Sequence, residues 1–248
     1  YNTLDFRSSS NVRFNRLFEF CCQGCPMASN TRQKILDAAE KLFARRGFEG
    51  TSLRSIIASA DVNLAAVHYH FRSKEGLIRA VIERRFAPVN DERLRLLAEF
   101  ENQRASKTAR VEEILEAFLA PMLRIGLLGS GQGHLLMQLG GRLLQPSDEM
   151  LEKAAGVEFE RVAIRFLSAL QKALPSLTRQ ELAWRMNFTI GAAARALSGG
   201  ILVKVLSSVS HENLQERDVQ RVLQRLITYT TAGMRAPAGN HRPPEAQP

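Results

Sequence analysis

Val62–Leu77, VNLAAVHYHFRSKEGL, is the stretch on which the fold turns. It crowds His68, Tyr69, His70, Phe71 and Lys74 into the end of one short helix and the start of the next, just after the small residues Ala65 and Ala66. Metal binding, catalysis, core packing and phosphate contact compete to explain it. His68 and His70 lie two apart, about 200° around a helix, so they cannot chelate one metal ion. No carboxylate stands at a spacing that would orient either ring as a catalytic base. Val67 and Phe71, four apart, share a face and point to a core. For His70, packing beside Phe71 and phosphate contact both stay open, and Tyr69 can do both at once.

The neighbouring residues supply the frame. Thr51 or Ser52 caps a helix that carries Leu53, Ile56 and Ile57 inward and ends near Ala60. Asn63 caps the next, which runs only to about His70, and Ser73 caps a third that continues to about Arg85. An earlier helix, from about Thr31 to Arg46, shows the stripe Ile35, Ala38, Ala39, Leu42 and Phe43 and stops at Gly47. Two short helices joined by Ala60-Asp61-Val62 outline a helix-turn-helix, whose second helix enters the major groove of DNA. The small Ala65 and Ala66 allow close approach, and an alanine methyl can touch a thymine methyl. Asn63, Leu64, Ala65 and His68 then read base edges. Thr51, Ser52, Arg54, Tyr69, His70 and Lys74 reach phosphate oxygens, with helix N-termini at Ser52 and Lys74 favouring an anion. Arg32 adds a flank contact.

Charge agrees with a polyanionic partner. The chain of 248 residues carries a net +9. Residues 27–88 hold 11 Lys and Arg against 6 Asp and Glu, a net +5, while residues 89–248 hold 20 against 17, a net +3. The excess is densest around the opening motif, although a basic face can also be merely solvated. No run of about 18 apolar residues suggests a membrane span. Cys21, Cys22 and Cys25 all fall in the first 26 residues, and no nearby His or second Cys pair completes a metal site. Residues 1–28 read as a disordered leader, of which residues 1–26 are expected to be non-native, with Met27 as the start. No cofactor, metal or catalytic residue is expected, so the chain is not read as an enzyme. Its location is expected to be the cytoplasm.

TSLRSIIASADVNLAAVHYHFRSKEGLIRAV, with the preceding FARRGFEG, resembles the DNA-binding domain of the TetR family of bacterial transcription regulators. The resembling positions are Thr51, Ile56, Ala60, Val62, Tyr69, His70, Phe71, Lys74, Glu75 and Leu77, over about residues 31–82. The resemblance implies Thr51, Tyr69, His70 and Lys74 as phosphate contacts and Leu64, Ala65 and His68 as groove-facing. It also implies a helical ligand and dimerisation domain beyond. Asp61 stands where the family usually has Gly, and Asp tolerates the left-handed conformation that the turn needs. VNLAAVHYHF further resembles a fatty-acid-responsive subgroup.

The expected architecture is all-α: an N-terminal three-helix helix-turn-helix domain over residues 29–86, a helical ligand-binding and dimerisation domain over 87–235, and a disordered tail over 236–248. Pro88 marks the boundary. Later helices are expected over about 90–103, 109–128, 133–144, 148–173, 179–208 and 212–233. Two stripes suggest a four-helix dimer interface: Leu182, Met186, Ile190 (or Thr189), Ala193 and Leu197, and Val219, Val222, Leu223, Leu226 and Ile227. Ordinary core packing is the competing explanation. Gly129, Gly131 and Gly133 lack the strand and the GKS or GKT of a nucleotide loop and read as a connection between helices. Phe118, Met122, Phe166 and Phe188, with His134, Gln138 and Arg142 as polar points, suggest an apolar effector pocket, against the alternative of a packed core. The resulting expectation is a homodimeric, ligand-responsive repressor on a palindromic double-stranded operator, released by a small apolar, acyl-type effector. The alternative is a ligand-independent architectural DNA-binding protein.

Overall fold

The computed structural model describes residues 28–104, 108–128, 131–145, 149–198, 201–210 and 218–238. Among these residues there are ten helices and no strand. The first four are α1 (Ala28–Arg46), α2 (Leu53–Ala60), α3 (Leu64–Phe71) and α4 (Lys74–Asn102). Then follow α5 (Val111–Leu128), α6 (Gly131–Leu143), α7 (Glu149–Ala173), α8 (Arg179–Ser198), α9 (Ile201–Ser210) and α10 (Val219–Arg235). Cys21, Cys22 and Cys25, Gly129, Ser147, Asp148 and residues 239–248 lie outside the described residues.

The apolar stripe of α1 folds as its spacing requires. Ile35, Leu36, Ala39 and Phe43 are buried against Ile56 of α2, Val67 and Phe71 of α3, and Leu77, Ile78, Val81 and Ile82 of α4. Gly47 closes α1 with a φ of 79°, and its N–H donates to the Phe43 carbonyl. That left-handed turn carries no steric penalty at glycine. Glu40, buried in α1, pairs with the guanidinium of Arg85 in α4 and lies 3.4 Å from that of Arg84.

The break expected at Pro88 is absent. One helix, α4, runs through it for 29 residues. Pro88 lacks the N–H that would bond the Arg84 carbonyl. Its own side is exposed, while Phe86, Val89, Asn90, Arg93 and Leu97 on the other side are buried. Burial of that stripe in two cores holds the helix together across the proline. The first core belongs to α1–α4 and extends to Leu136 and Leu139 of α6 and Leu151 of α7. The second gathers Leu97 with Leu115 and Leu119 of α5, Phe166 and Leu170 of α7, Leu182 and Met186 of α8, and Leu223 and Ile227 of α10.

The two stripes expected at a dimer interface are therefore core. Leu182, Met186, Val219, Leu223, Leu226 and Ile227 are buried within the chain, because α8 and α10 turn their apolar faces onto α5. Their outer faces instead expose aromatic rings: Trp184, Phe188 and Tyr229. Gly131 and Gly133 fall inside α6 rather than in a connection. A Cβ on Gly133 would stand 2.6 Å from the Ile125 carbonyl oxygen, so this glycine lets α6 approach α5. Arg185 fastens the end of α10: its guanidinium donates to the carbonyls of Gly233, Met234 and Ala236, and Glu181 pairs with its Nε at 2.8 Å. Cations suit a helix C-terminus, where carbonyls lack helical donors.

Candidate nucleic-acid interface and internal cavity

Three consecutive N-caps shape the reading head. Ser52, Asn63 and Ser73 each accept a hydrogen bond from the backbone N–H three residues on, at 3.1, 2.8 and 3.0 Å. Between α2 and α3, Asp61 takes φ 52° and ψ 55°, and the N–H of Val62 bonds the Ile57 carbonyl. The left-handed turn thus forms with Asp in place of Gly.

Helix α3 divides by its period. Val67 and Phe71 are buried, and Leu64, Ala65, His68 and Tyr69 face outward. Leu64 is 50% exposed and Tyr69 81%, high values for large apolar-bodied side chains on a helix eight residues long. His70 is half-buried and meets the Tyr69 ring edge-on at 5.0 Å, so it braces the tyrosine while touching Phe71. His68 Nδ1 lies 2.9 Å from the Arg72 carbonyl. A carbonyl only accepts, so Nδ1 carries the hydrogen of this bond and Nε2 is left for another partner. Asn63 spends its side-chain oxygen on the cap and keeps its amide donors.

Arg72, absent from the expected site, closes this helix under strain. Its φ is 66° and ψ is −45°, and the Ser73 N–H donates to the Phe71 carbonyl across it, 2.8 Å away. Such a positive-φ γ-turn is rare for a residue with a side chain. Lys74 follows; its ammonium donates to the Glu49 carbonyl at 3.3 Å, fixing it beside the loop that precedes α2. Ser52 and Arg54 are exposed. Arg32 lies over the Phe71 ring at 5.4 Å.

Thr51 does not belong to this face. It is fully buried, and its hydroxyl donates to the Gly47 carbonyl at 2.7 Å. The side chain holds the α1–α2 loop closed and cannot reach a phosphate; Ser52, one residue on, takes the outward place.

Among the described residues, Arg32, Arg54, Arg72 and Lys74 form no ion pair. Several basic side chains farther along the chain are paired: Arg95 with Glu92, Arg161 with Asp91, Arg235 with Glu112. Uncompensated cations grouped at an exposed helix suit a polyanion. Among the described residues, no group of three or more His, Cys, Asp or Glu could hold a metal, and no helix is long and apolar enough to cross a membrane.

A cavity of about 1040 Å³ opens between α4, α5, α6, α7 and α8. Phe118, Met122 and Phe166 line it. His134, Gln138, Arg142 and Phe188 do not. His134 and Gln138 are exposed and bond one another at 2.9 Å. Phe188 is 64% exposed beside Trp184, with ring centroids 5.9 Å apart. Arg142 turns away and donates to the Arg45 carbonyl at 3.0 Å, tying α6 to the last turn of α1. A polar residue missed in the sequence, Arg93, lines the cavity instead. It occupies the buried stripe of α4, where an arginine four residues from Val89 and Leu97 was the available signal.

Comparison with known proteins agrees with this geometry. Residues 35–81 match the profile of the bacterial regulatory proteins of the tetR family, and residues 116–233 that of the tetracyclin repressor-like C-terminal domain. The chain belongs to the TetR family. This TetR-family chain is 45% identical over 56 residues to the HTH-type transcriptional regulator YttP of Bacillus subtilis (strain 168), covering 23% of this chain and 27% of YttP. It is 29% identical over 122 residues to the HTH-type transcriptional repressor NemR of Escherichia coli (strain K12), covering 49% of this chain and 58% of NemR. These alignments thus span between about a quarter and three-fifths of those relatives. The crystal structure of the transcriptional regulator FadR of Bacillus subtilis in complex with stearoyl-CoA superposes with a TM-score of 0.52 at 17% identity, covering 79% of this chain and 97% of FadR. At that identity the likeness is one of fold.

Proposed function

We propose that this protein is a homodimeric, ligand-responsive repressor that reads a palindromic operator with α3. One observation carries the reading: an exposed short helix, Leu64 and Tyr69 outermost, beside basic residues that have no acidic partner among the described residues. Leu64, Ala65, His68 and the amide of Asn63 meet base edges. Ser52, Arg54, Tyr69, His70 and Lys74 meet phosphates, and Arg72 joins them. The domain division follows function: residues 29–86 read DNA, residues 87–235 bind the effector and the second subunit, and α4 links the two. The second subunit docks on the outer faces of α8 and α10, where Trp184, Phe188 and Tyr229 stand exposed. The protein acts in the cytoplasm, beside its DNA.

The effector occupies the cavity. Helix α6 supplies Met137 and Leu143 to its wall and grips α1 through Arg142 and the Arg45 carbonyl. A ligand that favours one seat of α6 therefore shifts the reading head, provided that it binds the two states with different affinity. The apolar wall, and the resemblance of VNLAAVHYHF to a fatty-acid-responsive subgroup of the family, favour an acyl-type molecule. A ligand-independent architectural DNA binder needs no such cavity.

Selection from random duplexes tests the reading. The expected product is a twofold-symmetric site with half-sites about one helical turn apart. Recovery of no sequence preference, or of a preference without symmetry, refutes it.

A further inference from the structure

We infer that the effector is an organic anion with an apolar body, a carboxylate in its ionised form, seated head-first on Arg93. The inference rests on the cavity being the effector site, as proposed above, and names the chemistry of what enters.

Arg93 is 7% exposed, in the middle of α4. Its Nε donates to the Phe118 carbonyl at 2.9 Å and its Nη1 to the Asn90 side-chain oxygen at 3.0 Å. Phe118 stacks on the guanidinium at 4.2 Å. A guanidinium has five N–H donors. Two are used, so three find no acceptor among the described residues. No carboxylate among those residues pairs with it either. The nearest route to one passes through a neutral amide: Asn90 Nδ2 donates to the Glu158 carboxylate at 2.9 Å. Burial lowers the pKa of Arg93 to about 10, which leaves it charged at neutral pH.

A buried cation is costly unless paired. Among the described residues, the other strongly buried arginines are neutralised: Arg85 by Glu40 and Arg185 by Glu181. Of the three, only Arg93 lines the cavity, and three of its donors are unused among the described residues. The remaining ionisable residues of the lining, Glu152 and Arg195, are exposed and mark the mouth. The rest of the wall is mainly apolar, with Met122, Phe159 and Phe166 among its larger side chains. A ligand whose charge meets Arg93 lays its apolar body along that wall. A planar guanidinium fork also matches a carboxylate bidentately.

Calorimetric titration of the full chain with decanoate and with 1-decanol, at equal chain length and neutral pH, tests this. Decanoate is expected to bind at least about tenfold tighter than the alcohol, the size of a charge-assisted hydrogen bond lost. Arg93→Gln is expected to bring the two within about twofold by weakening the acid alone, with alcohol binding reporting that the cavity is intact. Equal affinities in the unaltered chain overturn the anion inference and leave the cavity reading standing. Binding of neither overturns both. An undiminished acid preference in Arg93→Gln overturns the assignment to Arg93. If Arg93→Gln loses both ligands, Arg93→Lys decides: a retained preference for the acid supports the inference, and its loss overturns it.

Discussion

Thr51→Val separates two roles that a sequence cannot. Valine keeps the volume and the branched shape and removes only the hydroxyl. That hydroxyl is fully buried and donates to the Gly47 carbonyl at 2.7 Å, with the Leu42 carbonyl 3.3 Å away. The lost bond is worth about 1 kcal/mol, and leaving the Gly47 carbonyl short of a donor adds part of its desolvation cost, for a total of about 1–2 kcal/mol. Each kcal/mol lowers the Tm by about 2–4 °C in a chain of this size. Urea and thermal unfolding read that loss. Operator affinity, measured well below the transition, is expected to stay within about twofold, since the side chain never reaches the surface. Unchanged stability combined with a tenfold or greater loss of affinity would refute the structural placement and restore Thr51 to the phosphate contacts. Ser52→Ala gives the complement: it removes an exposed cap and a phosphate donor together, so both readouts should fall.

Three further substitutions probe other joints. Gly76→Ala sets a Cβ 2.1 Å from the Phe71 carbonyl oxygen, a backbone atom that cannot yield; it should cost about 2–3 kcal/mol or more in urea unfolding and displace α3 relative to α4. Arg185→Ala strips the end of α10 of its cap and strands Glu181. The expected loss is about 2–4 kcal/mol, with faster amide exchange in the last turn of α10. Glu158 has its carboxyl raised above the ordinary value, by burial first of all, against the lowering effect of the Asn90 hydrogen bond. Its folded form holds a proton more tightly than its unfolded form, so its ionisation erodes stability as pH rises above the usual carboxylate range. Glu158→Gln should raise the Tm at neutral pH, and the gain should shrink on acidification; a gain independent of pH would contradict the assignment.

Local features of this chain were legible because local rules set them. Ser52, Asn63 and Ser73 announced three helix starts, Gly47 announced a stop, and the Val67–Phe71 spacing oriented α3. The failures came from distance. Pro88 reads as a break, but the buried faces of Phe86, Val89 and Leu97 outweigh its missing hydrogen bond. The stripes of α8 and α10 looked fit for a partner because periodicity names an apolar face without naming what covers it; the second core covered it, and the exposed rings of Trp184, Phe188 and Tyr229 lie opposite. Four of the seven residues expected in the pocket lie outside it for the same reason. Phe118, Met122 and Phe166 do line the cavity, whereas Arg142 reaches across 97 positions to the Arg45 carbonyl. Arg93 was findable, as a charge between Val89 and Leu97 on the buried stripe. Arg72 was not, because only the backbone reveals its positive φ.

The salt dependence of operator binding tests the central claim most directly. Affinities of the unaltered chain and of Arg54→Ala, Lys74→Ala and Tyr69→Ala are compared across a salt series. Removing either cation should lower the slope of log affinity against log salt by about 0.9, one phosphate contact each, and weaken all sequences alike. Tyr69→Ala should weaken binding at every salt concentration and leave the slope nearly unchanged. Identical slopes and affinities in all four proteins would contradict the placement of α3 and its flanks against DNA.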